Sequence, residues 1–156
     1  MAERTVKLAT LCYVRQGGKT LMLHRTREGD YHYGKYNGLG GKLGPGESPE
    51  ECMRREVFEE SGLKPTRWTL RGFITFPAFD GVSDWYVWLY TIEAFDGILR
   101  PSAEGDLCWV DDAALDELDL WEGDRVFMPW LRESRLFSAK FVYENGAFKD
   151  YEVSFY

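Results

Sequence analysis

Apolar and β-branched residues fall in short runs separated by glycine-, asparagine- and proline-containing turns, and this pattern predicts strands along most of the chain. Val6 to Val14 reads as a strand, Gln16-Gly17-Gly18-Lys19 as a turn, and Thr20 to Arg25 as the returning strand. Lys35 to Gly40 is a short extended segment. Trp68 to Phe76 and Trp85 to Phe95 predict two more strands, with a turn over Pro77 to Gly81 between them. Leu107 to Val110 makes a short strand. The chain closes with a hairpin, Phe137 to Tyr143 and Phe148 to Phe155, turning at Asn145-Gly146.

Helical signals are fewer. Ser48 stands at an N-cap, Pro49 at the first helical position, and Glu51 closes a capping box. Gly62 is the matching C-terminal stop. Asp111 or Asp112 offers a cap for a short helix through Leu118. Asp124 offers one for a helix toward Arg135, in which Pro129 imposes a kink or a late start. Residues 26–35 read as a mobile polar loop beside a cleft, with His32 solvated and His24 structural. No repeat, linker or low-complexity tract interrupts residues 1–156. They are expected to form one α+β domain, helices packed on a mixed β-sheet.

The most chemically loaded stretch is the first helix and the loop before it. Gly40, Gly41, Gly44 and Gly46 let the backbone turn tightly and approach a ligand, and Pro45 stiffens the turn. In the helix, Glu56, Glu59 and Glu60 are spaced i, i+3, i+4 and fan over an arc of about 100°. Met53 and Val57 point to an adjacent apolar face. Crowded carboxylates raise one another's pKa. Arg55 relieves part of that repulsion, and a divalent cation would relieve more. Oxygen ligation by several acids suits Mg²⁺, or Mn²⁺. Three acids alone would be an ordinary solvated helix face.

Composition narrows the chemistry further. Aromatic residues make up 16% of the chain, with six Trp, which suits a β-rich core and a pocket that stacks on a flat ligand. A net charge of −7 argues against nucleic-acid or anionic-membrane partners. An anionic small substrate remains compatible if cations neutralise the site. Cys12, Cys52 and Cys108 form no metal-type pair, and an odd count suits a reducing compartment. With no signal peptide and no apolar run of spanning length, a soluble cytoplasmic protein is expected, monomeric or a weak homodimer.

Gly41, five residues, Glu47, seven residues, then Arg55-Glu56-Val57-x-Glu59-Glu60-x-Gly62-Leu63 matches every fixed position of the Nudix box over 41–63. The chain thus resembles the Nudix hydrolases. Tyr36 to Lys42, the Trp109 region, Trp121-Glu122-Gly123-Asp124 and the closing hairpin look like MutT/MutX-type 8-oxo-dGTP diphosphatases. That resemblance implies an α/β/α sandwich and Mg²⁺-dependent cleavage of a nucleoside triphosphate to a monophosphate and pyrophosphate. It implies metal ligation by Glu56, Glu59, Glu60, the Gly40 carbonyl and Glu104, with Arg55 completing the catalytic group. It further implies that Asn37 and Asp124 hydrogen-bond a purine and that Trp121 covers its face. Arg25, Lys42, Phe76 and Thr10 fall on the substrate side.

Taken singly, these residues have ordinary readings: Asp124 a helix cap, Trp121 packing, Asn37 a turn residue, Glu104 a loop acid. Their joint placement favours function. Gly123 departs from the animal members, which carry an acid there, and so puts the choice among oxidised purines in doubt. Two alternatives stand beside this reading: a broader Nudix hydrolase of ADP-ribose or dinucleoside polyphosphates, and a nucleotide-binding module without turnover. The intact Arg55-Glu56 and Glu59-Glu60 pairs favour an enzyme. Which glutamate serves as general base does not follow from spacing.

Overall fold

A computed structural model describes residues 3–156. Strands β1 (Thr5–Gln16) and β2 (Lys19–Arg25) pair with each other only beside their turn, at Arg15 with Thr20 and Gln16 with Lys19. Gly17 and Gly18 both have left-handed φ, +58° and +74°, as a two-residue hairpin turn requires. Beyond the turn the strands part company. β1 runs parallel to β5 (Ser83–Gly97), from Thr5 opposite Ser83 to Val14 opposite Ile92. β2 pairs along its length with β6 (Gly105–Asp111), and at Leu23 and His24 with the two-residue β3 (Tyr36–Asn37).

The opening between β1 and β2 is filled by the glycine loop. Cys12 N–H donates to the Leu39 carbonyl at 2.6 Å, and Leu39 N–H returns the bond at 2.8 Å. Thr10 N–H donates to Gly41 at 2.9 Å and Leu43 N–H to Leu8 at 3.0 Å. The loop is therefore laid down as an interrupted strand, with its backbone polar groups paired. On the far side of β5 come β4 (Leu63–Phe76, antiparallel), β7 (Phe137–Glu144, parallel to β4) and β8 (Ala147–Phe155). The result is an eight-stranded mixed sheet ordered β3-β2-β1-β5-β4-β7-β8, with β6 on β2.

Helix α1 (Pro49–Ser61) covers one face of this sheet, and the expected capping box closes its start. Ser48 Oγ accepts from Glu51 N–H at 3.1 Å, and Glu51 Oε1 accepts from Ser48 N–H at 3.0 Å. Gly62, at φ +80°, ends the helix by donating to the Phe58 carbonyl at 2.8 Å. Met53 and Val57 are fully buried in a cluster with Cys12, Val14, Leu21 and Tyr90. Truncating Met53 to Ala would cost about 2–5 kcal/mol. Side chains alternate along β1, so Ala9 and Tyr13 face the other core with Ile74, Leu89, Phe127 and Phe141. That face is covered by α2 (Glu122–Phe127) and 3₁₀ turns over Asp112–Glu117 and Met128–Arg132. Among the described residues no helix is long and apolar enough to cross a membrane.

Several local expectations are corrected. β4 begins at Leu63 and runs through Pro65, because the ladder with β5 slips register between Pro65 and Arg67 and needs no donor from the proline. The helix toward Arg135 ends at Phe127 and continues only as 3₁₀, consistent with the missing N–H of Pro129. Asp124 is not its cap: Trp121 occupies the N-cap position, and Asp124 lies inside α2 and is buried. Of the two candidates for the short helix ending at Leu118, Asp111 takes the N-cap position, without a side-chain cap bond, and the helix is 3₁₀. The Asp112 carboxylate is engaged by Arg15 and by Thr20 Oγ at 2.8 Å. His32 is half-buried rather than solvated, within turns over residues 28–34.

Candidate active site

A cavity of about 620 Å³ opens where β1 and β2 separate. One end is acidic and walled by backbone, and the other is aromatic.

At the acidic end two glycines are required by contact. Gly40 has φ +135°, and a Cβ there would lie 2.1 Å from the Thr10 carbonyl oxygen. A Cβ on Gly41 would lie 2.5–2.7 Å from the carboxylate of Glu56. Glu56 therefore rests directly against the loop backbone. Gly40 N–H donates to Glu60 Oε1 at 3.3 Å, while Glu60 Oε2 is buried with no partner. Burial pushes the Glu60 carboxyl up to about 8, with Arg25 opposing and Glu56 and Glu104 adding to the shift. Arg25 Nη1 donates to Glu104 Oε2 at 2.9 Å. Thr10 and Lys42 also line this end.

Arg55 stands behind the acids and does not line the cavity. Its Nε and Nη2 donate to Glu47 at 2.7 and 2.8 Å, and Nη1 to Glu56 at 2.7 Å and Glu59 at 3.2 Å. Nη2 also reaches the Lys42 carbonyl at 3.1 Å. The Arg55 bond and the Gly44 N–H hold the Glu47 carboxyl down to about 2. The expected three-acid face is only partly assembled. Glu56 and Glu60 line the cavity, whereas the Glu59 side chain is 55% exposed and turned to Arg55. Among the described residues no three acidic, histidine or cysteine side chains stand close enough to enclose an ion.

The donor chemistry nevertheless fits a hard divalent cation. Glu60 presents an orphaned buried oxygen whose ionised form needs a positive partner, with Glu56 beside it. An ion there would also balance Glu104, which Arg25 now pairs.

At the aromatic end Asn37 and Asp124 are buried, 8% and 7% exposed. Asn37 Nδ2 has no partner. Burial raises the Asp124 carboxyl to about 7, against the opposing charges of Lys35 and Arg125. The indole of Trp121 meets Phe79 at 5.1 Å and Tyr143 at 5.7 Å, both edge-on, and lies nearly parallel to Tyr31 at 5.7 Å. Phe76 completes this wall. Gly123 N–H donates to the Tyr143 hydroxyl at 2.6 Å. A Cβ on Gly123 would lie 2.6 Å from that oxygen and 2.7 Å from Phe141, so no acid fits at 123 without displacing the hairpin.

The cavity thus brings together Arg25, Asn37, Gly40, Lys42, Glu56, Glu60, Phe76, Glu104, Trp121 and Asp124, and leaves Arg55 and Glu59 outside its lining. Tyr31, His32, Phe79, Trp85 and Tyr143 also line it; the first two come from the loop expected beside the cleft, and none of the five is among the expected site residues. The aromatic run Tyr31-His32-Tyr33 inside an otherwise polar loop was the available signal for the first two. For Phe79 and Tyr143 no local signal exists, because only the sheet brings their turn and hairpin to Trp121.

A glycine loop and acidic helix at one end of a cavity, with an aromatic wall at the other, on a mixed sheet covered on both faces, make an α/β/α sandwich whose site suits an anionic ligand with a flat ring. Residues 5–131 match the NUDIX domain family, and the chain belongs to it as a Nudix hydrolase. It is 30% identical over 140 residues to the oxidized purine nucleoside triphosphate hydrolase of Danio rerio, covering 90% of this chain and 88% of that one. The protein of the same name from Mus musculus is 28% identical over 141 residues, covering 90% and 89%. The crystal structure of a mutator MutT protein from Bacillus halodurans superposes with a TM-score of 0.84 at 28% identity, covering 95% of this chain and 97% of that one.

Proposed function

We propose that this Nudix hydrolase sanitises oxidised purine nucleotides in the cytoplasm, converting 8-oxo-dGTP and water to 8-oxo-dGMP and pyrophosphate. The observation that carries the reading is the placement of Asn37 and Asp124 together at the Trp121 end of the cavity. Both are buried and line it, and Asn37 Nδ2 has no partner in the protein. Such a pair reads the edge of a base, while an aromatic wall accepts its face. The names of the zebrafish and mouse relatives agree with this substrate class.

With the base at that end, the phosphates extend toward Gly40–Lys42, Arg25 and the acids. Glu56, Glu60 and a third acid, Glu59 or Glu104, would hold Mg²⁺, which would supply charge neutralisation and a more acidic water. Arg25 and Lys42 offer cationic donors to phosphate oxygens. Arg55 fixes Glu56 and Glu47 in place and keeps the glycine loop against α1. In the metal-free protein burial raises the Glu60 carboxyl to about 8, so a cation bound there would displace its proton.

A substrate panel with Mg²⁺, scored by kcat/KM with products identified, tests the reading. Highest efficiency on 8-oxo-dGTP or another oxidised purine triphosphate, with pyrophosphate released, supports it. Preference for ADP-ribose or a dinucleoside polyphosphate moves the chain to the broader hydrolases. Binding without turnover makes it a nucleotide-binding module.

A further inference from the structure

The turns over residues 30–34 bring two side chains to the aromatic end of the cavity. Trp121 Nε1–H donates to His32 Nδ1 at 2.8 Å. The His32 ring meets Trp121 edge-on at 5.6 Å and lies nearly parallel to Phe79 at 6.2 Å. His32 N–H donates to Asp30 Oδ1 at 3.0 Å, and Asp30 Oδ2 lies 3.6 Å from Arg25. Arg25 in turn binds Glu104. The neighbouring Tyr31 hydroxyl donates to the Phe79 carbonyl at 3.0 Å. His32 is thus held by its backbone and by both sides of its ring.

An indole has a single donor and no acceptor, so its N–H fixes ring orientation only where an acceptor is aimed at it. Here the acceptor is an imidazole nitrogen. That assigns the neutral ring its proton on Nε2. We propose that His32 is a positioning residue for base recognition: by accepting the Trp121 indole N–H it sets the plane of that ring before a purine arrives. The proposal rests on the reading of Trp121 as the wall that covers the base. A wall fixed in advance lowers the ordering cost of binding. The ring's contact is with Trp121, while the link toward Arg25 runs through the His32 backbone N–H and Asp30, which a ring substitution keeps, so loss of the ring contact falls on KM and leaves kcat nearly unchanged.

His32→Phe keeps a ring against Phe79 and removes the acceptor. His32→Asn places a carbonyl oxygen near the position of Nδ1. With 8-oxo-dGTP, His32→Phe is expected to raise KM about five- to tenfold, the effect of one hydrogen bond, with kcat within about twofold. His32→Asn should recover most of that loss. In a Trp121→Phe background, His32→Phe should add nothing. A readout independent of turnover is the Trp121 indole N–H resonance, assigned by its disappearance in Trp121→Phe. It should move upfield and exchange faster in His32→Phe, and return toward the wild-type position in His32→Asn. An unchanged resonance, or the same KM rise in the Trp121→Phe background, overturns the proposal. Lack of 8-oxo-dGTP turnover by the wild-type protein overturns the substrate reading instead, and the indole resonance then decides the His32 contact alone.

Discussion

Arg55 and Glu47 form a two-pronged ion pair, Nε to Oε2 at 2.7 Å and Nη2 to Oε1 at 2.8 Å, that ties the glycine loop to helix α1. Gly44 N–H donates to the same Oε1 at 2.8 Å, so the loop is held by backbone and side chain together. Nη1 is left for Glu56 and Glu59. One planar guanidinium therefore sets the loop and two acids at once, which a lysine cannot reproduce. Arg55→Lys is expected to lower kcat/KM by about 10–100-fold with an unchanged circular dichroism spectrum. Wild-type efficiency would show that the acids position themselves.

The same pair predicts an acid limb of stability. The Glu47 carboxyl is held at about 2 against an ordinary value of 4.5. Its contribution is present above 4.5 and lost as pH falls toward 2. Glu47→Gln should therefore flatten the dependence of melting temperature on pH in that window. An unaltered slope would assign the acid sensitivity to other carboxylates.

Glu60 carries the opposite sign. Its carboxyl is raised to about 8 mainly by burial, so the metal-free protein binds its proton more tightly than the unfolded chain does. The stability this gives is complete below about 4.5 and is lost as pH rises through 8, by roughly 3–5 kcal/mol. Without metal, Glu60→Gln should melt higher than the wild type at pH 9 and match it near pH 5. Its turnover should nevertheless fall by orders of magnitude, as should that of Glu59→Gln. Equal melting at both pH values would contradict the burial argument.

Divalent metal should reverse that penalty. Millimolar Mg²⁺ or Mn²⁺ is expected to raise the melting temperature of the wild type, release protons near pH 8, and do less to Glu60→Gln. EDTA should abolish turnover. Calorimetry showing no metal-dependent stabilisation would remove Glu56 and Glu60 as ligands.

Much of this site is legible because its signals are local. The capping box at Ser48 and Glu51 and the glycine stop at Gly62 appear at the expected places, and the i, i+3, i+4 acids lie on the same helix, although Glu59 turns out to Arg55. The two tight hairpin turns are equally local, since their glycines satisfy left-handed φ wherever the strands lead. The partners of Trp121 are different. Phe79, Tyr143 and His32 come from a strand connection, the closing hairpin and a loop, and only the ladder order of β4, β7 and β2 brings them together. Asp124 misled because an acid near a helix start is usually a cap. Here Trp121 takes that place, and the carboxyl is turned into the cavity.

Under the proposed function, base choice would depend on Asp124. Its carboxyl, raised to about 7 by burial, changes between donor and acceptor across neutral pH, whereas Asn37 always offers both. An oxidised guanine differs from guanine in the donors and acceptors along its edge, so the state of Asp124 decides which base is fully paired. Leaving buried polar groups unpaired can cost several orders of magnitude in discrimination. Stacking on Trp121 adds affinity with little choice, since every base has a π-face. Asp124→Ala is therefore expected to lower kcat/KM for 8-oxo-dGTP far more than for ADP-ribose, and Trp121→Ala to weaken the purine substrates more evenly. The wild-type ratio of 8-oxo-dGTP to dGTP efficiency should change across pH 7, and Asp124→Asn, which cannot ionise, should make it constant. Stability gives an independent check. The folded state favours protonated Asp124, so this group contributes a decline in stability between pH 4 and 7 of roughly 3–5 kcal/mol, and Asp124→Asn removes that share while leaving the one due to Glu60. Equal losses on 8-oxo-dGTP, dGTP and ADP-ribose in Asp124→Ala would reduce Asp124 to a structural residue of α2.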